Sequence, residues 1–140
     1  MTDHYIELKE AAHVFFQNNS IINSLCFGNI RLNSSGFRHL IFKDLKHKRD
    51  QKNQIKRFQL LEYVKPILSG MKYYQEYVEH LDAKYFAFIA VLNNNIRIKI
   101  IIKQSSNSTP IFWSVIPYWE TRHYKGIKFI KLHKGDLIED

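Results

Sequence analysis

A histidine flanked by cations is the part of this sequence whose residue types could carry out chemistry. His39 lies in the segment 34–43, SSGFRHLIFK, with Arg38 beside it and Lys43 about one helical turn further on. Neighbouring cations disfavour the imidazolium form unless an anion is bound, so the ring suits proton transfer near neutral pH. His39 could therefore act as a general base or acid when an RNA 2′-hydroxyl attacks its phosphodiester. A surface histidine on a basic helix is the alternative, and both interpretations stay open.

A second group of such residues lies near the end of the chain, in the sequence IFWSVIPYW. In an alternating strand, Ser114 points away from Trp113 and Val115. If those two pack on helices, the Ser114 hydroxyl lies on the open face and could donate to a phosphate oxygen. Trp119, with the tyrosines on either side of it, could stack on splayed RNA bases. A solvated serine and aromatic residues in the core or at its rim are the alternatives.

The positive charge is concentrated in two separate segments. The chain has 140 residues and a formal charge of +8. Residues 31–65 hold ten basic against three acidic side chains, and residues 99–134 hold seven against one. If the two segments face each other, they form one basic cleft that favours a polyanion through phosphate contacts and counterion release.

The elements that must position these residues are helices followed by strands. Apolar spacing predicts helices over 5–17, 37–48 and 58–68, the last kinked or ended near Val64 by Pro66. Strands are predicted over 85–92, 96–103, 111–118 and 127–132. The second of these alternates between isoleucines and a basic face that carries Lys99 and Lys103. We therefore expect an α+β domain in which N-terminal helices pack on a roughly four-stranded antiparallel sheet.

Several function classes are excluded or disfavoured by what the sequence lacks. It has neither a GxxxxGK[ST] nor a GxGxxG motif, so we expect no nucleotide cofactor. Cys26 is the single cysteine, and the seven histidines show no paired-ligand spacing, so we expect no metal. No apolar run approaches the roughly 20 residues that span a bilayer, and the first residues do not read as a signal peptide. A cytoplasmic location without membrane contact is expected.

Three segments together resemble a known family. RHLIFK after a short strand, RFQLLEYVKPIL in a downstream helix, and IFWSVIPYW in the sheet are similar to the phage-borne PBECR domains of the barnase–EndoU–colicin–RelE-like nuclease superfamily. The resemblance covers residues 28–132 of what we expect to be one domain over 1–140. It implies helices before a four-stranded antiparallel sheet, and the activity of a metal-independent ribonuclease, many of which are toxins.

The resemblance also implies roles for particular residues. His39 would be the catalytic base or acid, Arg57 would hold phosphate, and Ser114 would be their polar partner, with Lys43 and Lys103 as supporting cations. This sequence departs from the pattern in its basic insert over 46–56 and in the lack of a second histidine at a matching position. Two other histidines are candidates for the missing acid, namely His80 and His123.

The sequence therefore predicts a metal-independent endoribonuclease, a toxin domain that cleaves RNA by 2′-hydroxyl attack. The predicted catalytic residues are His39, Arg57 and Ser114. The predicted substrate-binding residues are Arg38, Lys43, Lys99, Lys103 and Trp119. An acidic immunity or antitoxin protein is expected to cover the cleft, because charge complementarity speeds such association. Two alternatives remain, a non-catalytic RNA- or DNA-binding module and a protein-interaction domain with an acidic partner.

Overall fold

The structure is a computed structural model that describes residues 3–92, 97–117, 119–124 and 127–132, the last two ranges as strands only. Helices come first in the chain, although two short strands interrupt them. The elements are α1 (Asp3–Asn18), β1 (Ile21–Ser24), β2 (Gly28–Arg31), α2 (Ser34–Ile41), α3 (Gln51–Leu60), a 3₁₀ turn (Leu61–Tyr63), α4 (Val64–Gly70), β3 (Glu76–His80), β4 (Ala83–Val91), β5 (Arg97–Ser105), β6 (Ile111–Pro117), β7 (Trp119–Tyr124) and β8 (Ile127–Leu132).

The main sheet has six strands in the order β1-β2-β6-β5-β4-β3. Its neighbours are antiparallel except β2 and β6, which are parallel and pair at Arg31 and Ile111. The predicted α+β class is confirmed, but the prediction of a four-stranded, wholly antiparallel sheet is wrong. The predicted fourth strand forms as β8 and pairs with β7 in a separate two-stranded sheet.

The strands that the sequence did not reveal are short or polar. β1 has four residues, too few for alternation to be visible, whereas β2 matches the short strand expected before RHLIFK. β3 reads EYVEH, and all but its first residue are exposed, so it has no apolar face to detect. Because it pairs with β4 through its backbone, its side chains need not be apolar.

The boundaries of the helices follow from local backbone conformation and capping. α2 ends at Ile41 instead of continuing to residue 48, because Phe42 is extended and forms an isolated bridge with Lys48. α3 begins after Asp50, whose carboxylate accepts the Asn53 backbone N–H at 2.7 Å. Pro66 lies in the first turn of α4, where a missing N–H costs no helical hydrogen bond. The break near Val64 is therefore confirmed.

The predicted apolar face of β5 packs into the main core. Ile98, Ile100 and Ile102 are fully buried in one cluster with residues of the helices, among them Leu40 and Leu68. A smaller cluster on the opposite face centres on Ala83, Tyr85, Ala87 and Ile101, with Trp113 packed against it. The second face of the sheet is thus also substantially covered. None of the described helices is long and apolar enough to cross a membrane.

Gly36 allows α2 to approach β6 closely. A Cβ at this position would lie 2.2 Å from the Phe112 carbonyl oxygen, a backbone atom that cannot turn aside. We expect Gly36→Ala to lower the free energy of unfolding by roughly 2–3 kcal/mol, because α2 must move away from the sheet. Urea unfolding followed by circular dichroism measures this. Gly70→Ala is the control, since a Cβ there meets no atom within 4 Å; equal stability of the two variants would contradict the prediction.

Candidate active site

A cleft of about 460 Å³ lies between α2 with its following turn and the adjoining ends of β5 and β6. It contains four of the predicted site residues, namely Arg38, His39, Lys43 and Lys103. Its lining is Ser35, Arg38, His39, Phe42, Lys43, Asp44, Leu45, Lys103, Ser105, Ile111 and Trp113. Cations from both basic segments meet here, so the cleft is the expected place for an anionic ligand.

His39 is held against an aromatic wall of this cleft. Its ring stacks on Trp113, with ring centroids 4.2 Å apart and planes inclined by 18°, and the residue is only 6% exposed. Lys103 lies over the same indole, with Nζ 4.3 Å from the ring centroid. On α2, the Arg38 guanidinium lies 4.3 Å from the centroid of Phe42. Aromatic rings therefore hold one cation on each side of the cleft, with the imidazole stacked on Trp113.

Arg49 fixes the ring of His39 and was not recognised in the sequence. Its Nε donates to the His39 carbonyl oxygen at 3.0 Å, and its Nη2 lies 3.2 Å from His39 Nε2. Because a guanidinium can only donate, Nε2 accepts, and the neutral ring carries its proton on Nδ1. Arg49 belongs to the polar segment 46–56, where nothing in the spacing distinguishes it from its basic neighbours.

A β-bulge explains why Trp113 reaches this wall. Ile101 pairs with Ser114, but Ile102 pairs with Phe112, so Trp113 is the extra residue of β6. Strict alternation is therefore broken, and Trp113 packs with the Ile101 cluster, whereas Phe112 joins the main core. The expectation that Ser114 lies on an open face is wrong, because Ser114 is fully buried, whereas Trp113 does contact a helix through His39 of α2.

Ser114 and Arg57 contact each other in the interior. Ser114 is fully buried, and its Oγ accepts from Arg57 Nη1 at 2.6 Å. Arg57 is 4% exposed and also donates from Nε to Asn53 Oδ1 at 2.7 Å. The structure thus brings together two predicted catalytic residues, but neither lines the cleft. They tie α3 to β6 at the residue beside Trp113, which is a positioning role.

Lys99 does not lie on the open basic face that alternation predicted. It is fully buried, and its Nζ forms an ion pair with Glu76 Oε1 at 2.7 Å. A buried ammonium needs such a partner, because its desolvation is otherwise very costly. The expectation that Lys99 meets substrate is corrected accordingly: the lysine neutralises a carboxylate from β3.

The remaining predicted residues fall outside this cleft or outside the described side chains. Trp119 and His123 belong to β7, and their side chains lie outside the described residues. His80 is exposed at the end of β3 and is not part of the cleft lining. Within the ranges that the structure describes, no group of three or more metal-ligating side chains comes together.

Comparison with protein-family models, curated proteins and solved structures finds no match to this chain.

Proposed function

We propose that this protein is a metal-independent endoribonuclease that acts through His39. The observation that carries the proposal is the position of this imidazole in a cleft whose exposed and half-buried cations are Arg38, Lys43 and Lys103. Cleavage of RNA without a metal requires a proton acceptor for the 2′-hydroxyl and cations for the charge that develops on phosphorus. The cleft offers both.

Substrate binding would release the imidazole for this role. In the free protein, the lone pair of His39 Nε2 accepts from Arg49. An RNA phosphate is a charged acceptor with a geometry that suits a guanidinium, so it is a stronger partner than a neutral ring nitrogen. Arg49 would then turn to the phosphate, and Nε2 would become available to the 2′-hydroxyl. Trp113 would keep the ring in place during the exchange.

The chemical step follows from these positions. Nε2 of His39 takes the proton of the 2′-hydroxyl while the 2′-oxygen forms a bond to phosphorus. The bond from phosphorus to the 5′-oxygen breaks, which leaves a 2′,3′-cyclic phosphate and, after protonation, a 5′-hydroxyl. Arg38, Lys43 and Lys103 stabilise the negative charge of the phosphorane, together with Arg49.

The test is cleavage of RNA by the purified protein in the presence of EDTA. We expect products that end in a 2′,3′-cyclic phosphate and a 5′-hydroxyl, identified by mass spectrometry of the fragments. A mixed-sequence RNA of several hundred nucleotides serves as the first substrate, because its many sites do not presuppose a sequence preference. RNA that stays intact, or cleavage that requires a divalent metal, would contradict the proposal.

A second candidate function is RNA or DNA binding without cleavage. The specific observation in its favour is that Arg49 already occupies His39 Nε2, while Arg57 and Ser114 are buried against each other. A cleft that only binds phosphate does not require His39 to be released from Arg49. This candidate predicts binding that weakens steeply with added salt, because counterions are released on binding, and RNA that remains intact.

The positive charge of the cleft also supports a proposal about the biological role and the partner of the protein. As a toxin domain, the protein would act on cytoplasmic RNA and be silenced by an acidic immunity or antitoxin protein that covers the cleft. Complementary charge would speed that association and make its rate fall with ionic strength.

A further inference from the structure

The turn that follows α2 holds a carboxylate and an imidazole together at the edge of the cleft. Asp44 lines the cleft. Both of its carboxylate oxygens lie 2.8 Å from Nδ1 of His47. His47 was not among the histidines that the sequence singled out, because its position in a basic, polar stretch carries no distinguishing pattern.

The backbone makes this turn a defined structure. Phe42 and Lys48 form a bridge across its base, and the Lys43 backbone N–H donates to the His47 carbonyl oxygen at 2.8 Å. Asp44 Oδ1 also accepts the backbone N–H groups of Lys46 and His47, at 2.8 and 2.9 Å. The carboxylate is therefore anchored by the main chain before it meets the ring, and the pair has a preferred geometry.

The charges of the pair determine which nitrogen of His47 is presented outward. The backbone N–H of Lys46 and the side chain of His47 lower the pKa of Asp44, so the carboxylate stays ionised. An ionised carboxylate only accepts, so Nδ1 of His47 carries a proton and donates it to Asp44. The second nitrogen, Nε2, is then the one through which the ring can give a proton elsewhere. The His47 side chain is 73% exposed; it is not itself part of the cleft lining and adjoins the cleft through Asp44.

We propose that His47, oriented by Asp44, is the general acid that protonates the 5′-oxygen as it leaves. This inference rests on the proposed ribonuclease function and adds the residue that the function lacks. His47 enters the step as an imidazolium, and its Nε2 proton passes to the 5′-oxygen as the phosphorus–oxygen bond breaks. His39 meanwhile gains the 2′-hydroxyl proton, so one proton is taken up and one is given. Exchange with water then resets both rings.

The two histidines differ in the way that these roles require. The partner of His39 Nε2 is Arg49, which only donates, so this nitrogen offers its lone pair as a proton acceptor. The partner of His47 Nδ1 is a carboxylate, which only accepts, so Nε2 is the nitrogen left to face a substrate. Lys43, Lys46 and Lys48 are the charged neighbours on the same turn, and they place cations beside a phosphate bound there. The two rings therefore have opposite hydrogen-bond partners, a donor for His39 and an acceptor for His47.

A change of leaving group tests this role directly. The substrate is an RNA oligonucleotide that the protein cleaves, prepared with either oxygen or sulfur as the 5′-bridging atom at the cleavage site. A thiolate leaves without protonation, so loss of a general acid affects only the oxygen substrate. We expect His47→Ala to slow cleavage of the oxygen substrate about a hundredfold and of the sulfur substrate less than about threefold. His39→Ala should slow both, and Asp44→Asn should resemble His47→Ala with a smaller effect.

His80→Ala is the matched control, since this exposed histidine lies at the end of β3, whereas His47 bonds to Asp44 of the cleft lining. Wild-type cleavage with no loss in His47→Ala, or with equal loss on both substrates, would overturn the role of His47 and leave the ribonuclease function standing. A wild-type protein that cuts neither substrate would overturn the function and this role together.

Discussion

His39→Ala is expected to lose at least about a hundredfold in the rate of RNA cleavage while still binding RNA. The variant removes the proposed proton acceptor, and such a group typically contributes a factor of this size. It leaves Arg38, Lys43 and Lys103, the cations proposed to contact phosphate. Single-turnover cleavage in EDTA gives the rate, and fluorescence anisotropy with a labelled RNA gives the affinity.

Two control experiments distinguish loss of the chemical step from loss of the folded structure in this variant. The ring of His39 packs on Trp113, so its removal leaves a space that free imidazole can enter. We expect added imidazole to restore part of the rate in His39→Ala and to have no effect on wild type. His4→Ala, an exposed histidine on α1, serves as the control for a histidine outside the cleft. A folded His39→Ala variant that cuts at the wild-type rate would contradict the assignment.

Arg57→Ala is expected to lower the free energy of unfolding by about 3 kcal/mol. The substitution leaves the fully buried Ser114 hydroxyl without the Arg57 donor and opens a cavity between α3 and β6. Urea unfolding monitored by tryptophan fluorescence measures the change. Activity should fall with stability, because Arg57 ties α3 to β6 beside Trp113 and lies outside the cleft lining.

Arg38→Ala provides the matched comparison, since Arg38 is an exposed cation of the cleft. Its stability should stay within about 0.5 kcal/mol of wild type, as is usual for surface substitutions. Its RNA affinity should fall, and the dependence of that affinity on salt should become less steep. An Arg57→Ala variant that is as stable as Arg38→Ala would show that Arg57 has no structural role and would return it to the candidates for phosphate binding.

Part of this site could be predicted from the sequence because it is local. Arg38, His39 and Lys43 lie within one short segment, so any helix or turn places them near one another. The apolar face of β5 was equally visible, because Ile98, Ile100 and Ile102 follow a period of two that only Ile101 obscures. Such periodic patterns are the strongest signal that a sequence carries.

The other contacts of the site depend on features that leave no pattern in the sequence. The bulge in β6 brings Trp113 to His39, and a single extra residue in a strand has no signature in the amino-acid order. The partnership of Lys99 with Glu76 needs the polar strand β3, whose sequence has no apolar face. Arg49 and His47 belong to a stretch of charged residues that look alike in the sequence. Only the fold determines that Arg49 contacts His39 and that His47 contacts Asp44.

The most direct measurement of the central claim replaces one ribose with 2′-deoxyribose at a mapped cleavage site, in an RNA otherwise unchanged, and compares cleavage of the two RNAs in EDTA. Attack by the 2′-hydroxyl, activated at His39, predicts that the all-ribose RNA is cut at this site and the substituted RNA is not, although both bind equally well. Cleavage at the deoxy position, or the absence of cleavage in both RNAs, would contradict the account.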